Sequence, residues 1–177
     1  YYRWLDFWYW SRVRRNAFTG VDIAAMEREI ESFNFKPLVS VVMTVYNIDR
    51  EWLERAIESV LAQVYGNWEL CIVDDASPKP YIKEVLRKYG DLDKRVKVKF
   101  LELNLGMSGA SNEALAMATG EYLAFLDHDD ELSRDSLYEV VRLLNRESGV
   151  GVIFSDEDKL TLDGRCLRPV YKPGWDP

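Results

Sequence analysis

Val39-Ser40-Val41-Val42-Met43-Thr44-Val45-Tyr46-Asn47 is the stretch that decides the fold. Its first seven residues are nearly all apolar or β-branched. They show neither a helical nor an alternating period, so Leu38–Val45 reads as a strand buried on both faces. A second run of the same kind, Trp68–Val73, follows the Gly66-Asn67 turn. Between the two, Asp49 stands where a helix cap belongs. The stripe Trp52, Leu53, Ala56, Ile57, Val60 and Leu61 carries that helix through Val64. Two buried strands joined by a helix form a parallel crossover, so the chain is expected to be α/β, with a mainly parallel sheet and helices on both faces.

The pattern continues outward in both directions. Upstream, Thr19 caps a helix to Phe33 with Ile23, Met26 and Ile30 on one face, and Lys36-Pro37 breaks it. Downstream, Tyr81–Tyr89 is helical. Val96, Val98 and Phe100 alternate with lysines, as in a strand with one wetter face or near a sheet edge. The loop Asn104–Gly109 leads into a helix over Ala110–Ala118 that Gly120 ends. Glu121–Leu126 is a strand, Ser133 caps a helix over Arg134–Arg146, and Val150–Phe154 is a further strand. Asp163-Gly164 is a hairpin turn between residues 160–162 and 165–167.

Composition sets the limits. With 177 residues, Lys+Arg 23 and Asp+Glu 30, the formal charge is 23 − 30 = −7. Hydrophobic residues at 47% exclude a disordered or collagen-like chain. A pI near 4.9 argues against a nucleic-acid partner, whose binding surface would be basic. Cys71 and Cys166 lack any CxxC spacing, so neither zinc nor a disulfide framework is indicated. The sequence shows no signal peptide and no apolar run near the ~20 residues of a membrane span, which fits a cytoplasmic protein.

Two regions are expected to stand apart: an aromatic and helical extension over 1–36, and an α/β domain over 37–177. Seven of the first ten residues are aromatic, and residues 1–16 carry four Arg and one Asp. Such a segment suits either packing against protein or peripheral contact with an anionic membrane. Tyr1 in place of Met, and an ending at Lys172-Pro173-Gly174-Trp175-Asp176-Pro177 without a closing element, fit a piece of a longer protein.

The polar clusters all follow strands: Tyr46-Asn47, Asp74-Asp75, Asn104, Asp127–Asp130 and Asp156–Asp158. In an open α/β sheet, ligands bind beyond the carboxyl ends of the strands, so these clusters should converge on one rim. If the backbone at Asp127-His128-Asp129 is extended, both carboxylates face the same way and suit Mg²⁺ or Mn²⁺. A divalent cation would also relieve the repulsion between so acidic a rim and a diphosphate. The competing reading is a helix-capping loop before Ser133. Asp74 or Asp75, acceptor-only when ionised, could take a ring N–H of a base or a ribose hydroxyl, or merely hold an Asx turn before Pro78. Gly106 and Gly109 do not form GxGxxG or a P-loop. His128, the sole histidine, has no nucleophile motif beside it, which rejects Ser-His-Asp and Cys-His chemistry.

Taken in order, residues 39–47, Ile72-Val73-Asp74-Asp75-Ala76-Ser77, Asn104-Leu105-Gly106 with Ala110-Ser111-Asn112, and Leu126-Asp127-His128-Asp129-Asp130 resemble a family 2 glycosyltransferase of the GT-A, Rossmann-like fold. Phe154-Ser155-Asp156-Glu157-Asp158-Lys159-Leu160 and Lys172-Pro173-Gly174-Trp175 resemble the bacterial branch that builds surface polysaccharides. The resemblance spans about residues 37–177 and implies that they form a nucleotide-sugar-binding domain, the donor half without the acceptor half. It implies nucleotide contacts from Thr44, Tyr46, Asn47, Asp74, Asp75, Asn112 and Asp127, and a metal, Mn²⁺ or Mg²⁺, held by Asp129 with Asp127. It implies a nucleoside-diphosphate sugar donor of UDP or dTDP type, a glycan or lipid-linked acceptor at the inner membrane face, and transfer with inversion by a carboxylate base. An oligomer is compatible with all of this.

Three departures stand out. Thr44 occupies a position where the family usually has Pro, and Ser111 one where Arg is common. The base-bearing segment of relatives would fall beyond Pro177, leaving little or no transfer to be expected from these residues alone. Asp156, Glu157 and Asp158 are the local substitutes, Asp156 the candidate base among them, but they come early after Asp127-x-Asp129 and suit orienting a sugar or solvating a loop. Two rivals remain. A sugar nucleotidyltransferase would need a Gly-rich, Arg-bearing loop after the first strand, which Tyr46-Asn47-Ile48-Asp49 is not. A non-catalytic nucleotide-binding or docking module would use the aromatic N-terminus.

Overall fold

The computed structural model describes residues 20–161 and 166–172. The aromatic run at 1–16, Thr19, the Asp163-Gly164 turn and residues 173–177 lie outside them. The element order is α1 (Gly20–Ser32), β1 (Val39–Val45), α2 (Arg50–Leu61), β2 (Trp68–Asp74), α3 (Pro80–Leu92), β3 (Val96–Phe100), α4 (Gly106–Leu115), β4 (Tyr122–Phe125), α5 (Ser136–Arg146), β5 (Glu157–Leu160) and β6 (Cys166–Val170).

Four strands form one parallel sheet in the order β3-β2-β1-β4. The run of β-branched residues in β1 occupies the centre of this sheet, where both faces are covered and alternation would serve no purpose. The odd-numbered residues Val39, Val41, Met43 and Val45 join Leu53, Ile57 and Val60 of α2, Ile82 and Leu86 of α3, and Val141 of α5 in one large core. On the other face Val42 and Val73 pack with Ala110 and Ala114 of α4. Helices therefore lie on both faces, and β3 is an edge strand, as its alternating lysines foretold. Helix α1 rests on α5: the Phe33 ring stacks on Tyr138 at 6.1 Å, and the Tyr138 hydroxyl donates to Glu29 Oε2 at 2.6 Å.

Several expectations need correction. Residues 150–156 form no strand, because an apolar run becomes one only where a neighbouring edge accepts its ladder. Helix α4 begins at Gly106 rather than Ala110 and ends at Leu115, short of Ala118. Gly106 enters it with φ 72°, a conformation glycine adopts at no steric cost. Gly120 does not stop a helix. It is confined instead by close approach, since a Cβ there would lie 2.5 Å from the Leu38 carbonyl and 2.6 Å from Ser40 Oγ. Helix α5 starts at Ser136, two residues beyond the expected Arg134, with Asp135 rather than Ser133 at its N-cap. Asp49 has the extended backbone of a cap, but its carboxylate takes Lys79 Nζ at 2.8 Å instead of a helix N–H. Strands β5 and β6 pair antiparallel, as the hairpin reading required.

Candidate functional site

Because the four sheet strands are parallel, the loops that follow them gather at one rim. The loops after β1 and β2 are stitched by backbone and side chain together. The Asp75 N–H donates to the Val45 carbonyl at 2.9 Å, and the Asn47 N–H donates to Ser77 Oγ at 3.0 Å. Both loops turn sharply through left-handed residues, Asn47 at φ 53° and Ala76 at φ 57°. The loop after β3 joins them through Asp75. Its Oδ1 accepts the Leu105 N–H at 2.6 Å, while Asn104 Nδ2 donates to the Asp75 carbonyl at 3.1 Å.

This wiring separates the two neighbouring acids. Asp75 is committed to holding loops. Asp74, fully buried, accepts the Ser77 N–H on Oδ1 at 3.2 Å and leaves Oδ2 without a partner. A buried carboxylate oxygen without a donor costs on the order of 1–3 kcal/mol, so this atom is an acceptor waiting for a donor. The Asx-turn reading holds for Oδ1, and Oδ2 is the oxygen left over. Tyr46 and Asn47, in the loop after β1, are exposed, and Thr44 is half-buried.

The acidic segment after β4 departs from the extended backbone assumed in the sequence reading. The Asp130 N–H donates to the Asp127 carbonyl at 3.1 Å, closing a turn with His128 and Asp129 at its corners. The alternation that would aim Asp127 and Asp129 the same way does not apply within a turn. Crowding of charge is nevertheless plain. Partial desolvation raises the Asp130 carboxyl above its ordinary range, and the neighbouring Asp129, Asp127 and Glu157 raise it further. Glu157, on β5 and within the 156–158 cluster expected at the rim, acts on this acidic group. Asp156 beside it accepts the Lys172 N–H on Oδ1 at 2.8 Å, and Lys172 Nζ pairs with Glu157 at 3.1 Å.

A cavity of about 150 Å³ opens beside the turn, lined by Val42, Thr44, Met107, Ser111, Phe125, Leu126 and Asp127. Thr44 and Asp127 therefore share a wall. Ser111 contributes to it, and its neighbour Asn112 is exposed. Among the described residues, no three His, Cys, Asp or Glu side chains converge on a ready-made cation site. Magnesium is commonly held by one or two carboxylates completed by substrate phosphates, and the crowded acids at 127–130 fit that mode. No described helix is long and apolar enough to cross a membrane. Cys71 lies buried in β2, its thiol pushed up to about 11 chiefly by burial, and takes no part in the rim.

The profile described as Glycosyl transferase family 2 matches residues 40–173. The O-antigen biosynthesis protein RfbC of Myxococcus xanthus is 30% identical over 155 residues, covering 88% of this chain and 12% of RfbC. Among solved structures, the mannosyltransferase PcManGT of Pyrobaculum calidifontis, in complex with GDP-Man and Mn²⁺, superposes with a TM-score of 0.59. It is 22% identical, and the match covers 82% of this chain and 41% of that one. TarS of S. aureus, in complex with UDP-GlcNAc, superposes with a TM-score of 0.55 at 25% identity, covering 72% of this chain and 41% of that one. The fold is that of the GT-A glycosyltransferases, and the chain spans well under two thirds of each of these relatives.

Proposed function

The chain belongs to glycosyl transferase family 2, and from that premise we propose that it forms the donor-binding part of an enzyme moving a sugar from a nucleoside diphosphate to a glycan or lipid-linked acceptor. The observation that carries this reading is the joint rim. An unpartnered buried carboxylate oxygen on Asp74 sits on the same sheet edge as an acidic turn at 127–130. A ligand with a base N–H at one end and a diphosphate at the other satisfies both.

In this reading Asp74 Oδ2 accepts the base N–H, and Asp75 keeps the three loops in register around it. Tyr46 and Asn47 flank the base, while Thr44 and Asp127 face the ribose side of the cavity. Asn112, on α4, would serve the same end. Asp129 with Asp127 would hold Mn²⁺ or Mg²⁺, which when bound would supply a Lewis acid for the leaving diphosphate. Repulsion within the acidic turn is relieved when positive charge arrives, so donor and cation are expected to bind together. Single displacement with inversion requires a carboxylate to take the acceptor hydroxyl's proton. Asp156 is the local candidate, though one of its oxygens already holds the Lys172 amide. The likeness to RfbC supports a role in surface polysaccharide synthesis, and TarS supports a UDP-type donor.

Titration calorimetry with UDP, with and without Mn²⁺, tests the reading. Affinity should rise with the metal, and Asp129→Asn should remove that rise while the chain stays folded. Equal affinity in the presence and absence of Mn²⁺ would count against it.

A further inference from the structure

The β1–β4 ladder ends in an unusual way. Val42 is paired with Phe125, and the Leu126 N–H donates to the Val42 carbonyl at 3.1 Å. Rungs in a parallel ladder are evenly spaced, so the next would run from the N–H of residue 128 to the carbonyl of residue 44. By then the backbone has left the sheet to make the Asp127–Asp130 turn. The carbonyl of Thr44 is instead met by His128 Nδ1 at 2.8 Å. The imidazole occupies the rung that its own main chain has vacated.

We propose that His128 is a positioning residue, whose ring pins the acidic turn to the end of β1 and so sets where Asp127 and Asp129 stand relative to Thr44, Tyr46 and Asn47. A carbonyl oxygen can only accept, so the proton of this bond is on Nδ1. In the neutral ring the lone pair is then on Nε2. A ring fixed in this way lets the backbone turn, bringing three acids together, without losing the register that β1 imposes. The turn itself has one internal main-chain bond, from Asp130 to Asp127. The inference depends on the reading of Asp127 and Asp129 as the cation and diphosphate end of the site.

Two measurements test it. The chain has a single histidine, so labelling with ¹⁵N-histidine gives one pair of ring nitrogens. The Nδ1 resonance should be that of a protonated, hydrogen-bonded nitrogen, the site that free neutral imidazole side chains mostly leave bare. An Nδ1 that carries the lone pair, or an average of the two forms, overturns the proposal without any ligand being added. The second measurement compares UDP affinity with and without Mn²⁺ in the parent, His128→Leu and His128→Asn. The Leu variant should lose about tenfold of the metal-dependent gain, the scale typical of groups that orient metal ligands. The Asn variant carries an amide donor near the place of Nδ1 and should recover most of that gain. Parity of Leu with the parent, or Asn as weak as Leu, overturns the role of His128 alone. A parent without any Mn²⁺-dependent gain overturns the proposed function instead, and the positioning role with it.

Discussion

On one face of the sheet α2, α3 and α5 bury Val39, Val41, Met43, Leu70 and Ile72 to 1% exposure or less. On the other, α4 covers β1 and β2 and leaves Leu123 and Phe125 of β4 at 48% and 68% exposure. The second face is held together partly by charge. Glu69, 5% exposed, accepts from Ser40 Oγ at 2.6 Å, the Thr119 N–H at 2.5 Å and Lys97 Nζ at 2.5 Å. Ser40 Oγ in turn accepts the Gly120 N–H at 2.8 Å, which is why nothing larger than glycine fits there. The apolar face supplies most of the burial. The mixed face fixes the start of β4, and its far end opens into the cavity beside Asp127.

The largest effect should come from breaking the apolar face. Ile57→Ala, at a fully buried position of α2, should cost about 2–5 kcal/mol, read as a lower urea midpoint at unchanged slope. The charged hub comes next. Burial alone would raise the Glu69 pKa, but the bonds from Lys97, Ser40 and Thr119 outweigh it and hold the group at about 2 against an ordinary 4.5. An acid depressed in this way contributes stability that is complete above 4.5 and is lost as pH falls toward 2, up to about 3 kcal/mol. Glu69→Gln should therefore trail the parent clearly at pH 5.5, and the gap should shrink at pH 3. A gap of the same size at both values would mean that charge is not what holds this face. Smallest of all, Phe125→Ser should change stability by roughly 0.5 kcal/mol or less, because that ring is mostly in water already.

The central strands were legible because their residues answer only to burial. A run such as Val39–Val45 has one stable home, between two layers. The ends of elements were harder. Gly106 starts α4 because a left-handed entry suits it, and composition around Asn104–Gly109 gives no sign of that choice. The apolar residues 150–154 satisfy a strand's composition but not its need for a partner edge. At the rim, the clusters at 46–47, 74–75, 104 and 127–130 were found by their positions after strands. Which oxygen of Asp74 is free, and that Asp75 is spent on Leu105, depends on loops meeting across about 30 residues of chain. For His128 the sequence offers only the absence of a nucleophile motif beside it. Its bond to Thr44 could be foreseen only with the β1–β4 register in hand.

The strand order has a consequence for the newborn chain. Val39 finds its β4 neighbour at Tyr122, so one flank of the central strand stays bare until 83 further residues have left the ribosome. At roughly 5–20 residues per second that interval is about 4–17 s. During it an apolar strand with unsatisfied amides is open to pairing with another nascent copy. Synthesis rate across codons 46–125, and chaperone access to that flank, should thus govern yield more than the final stability does.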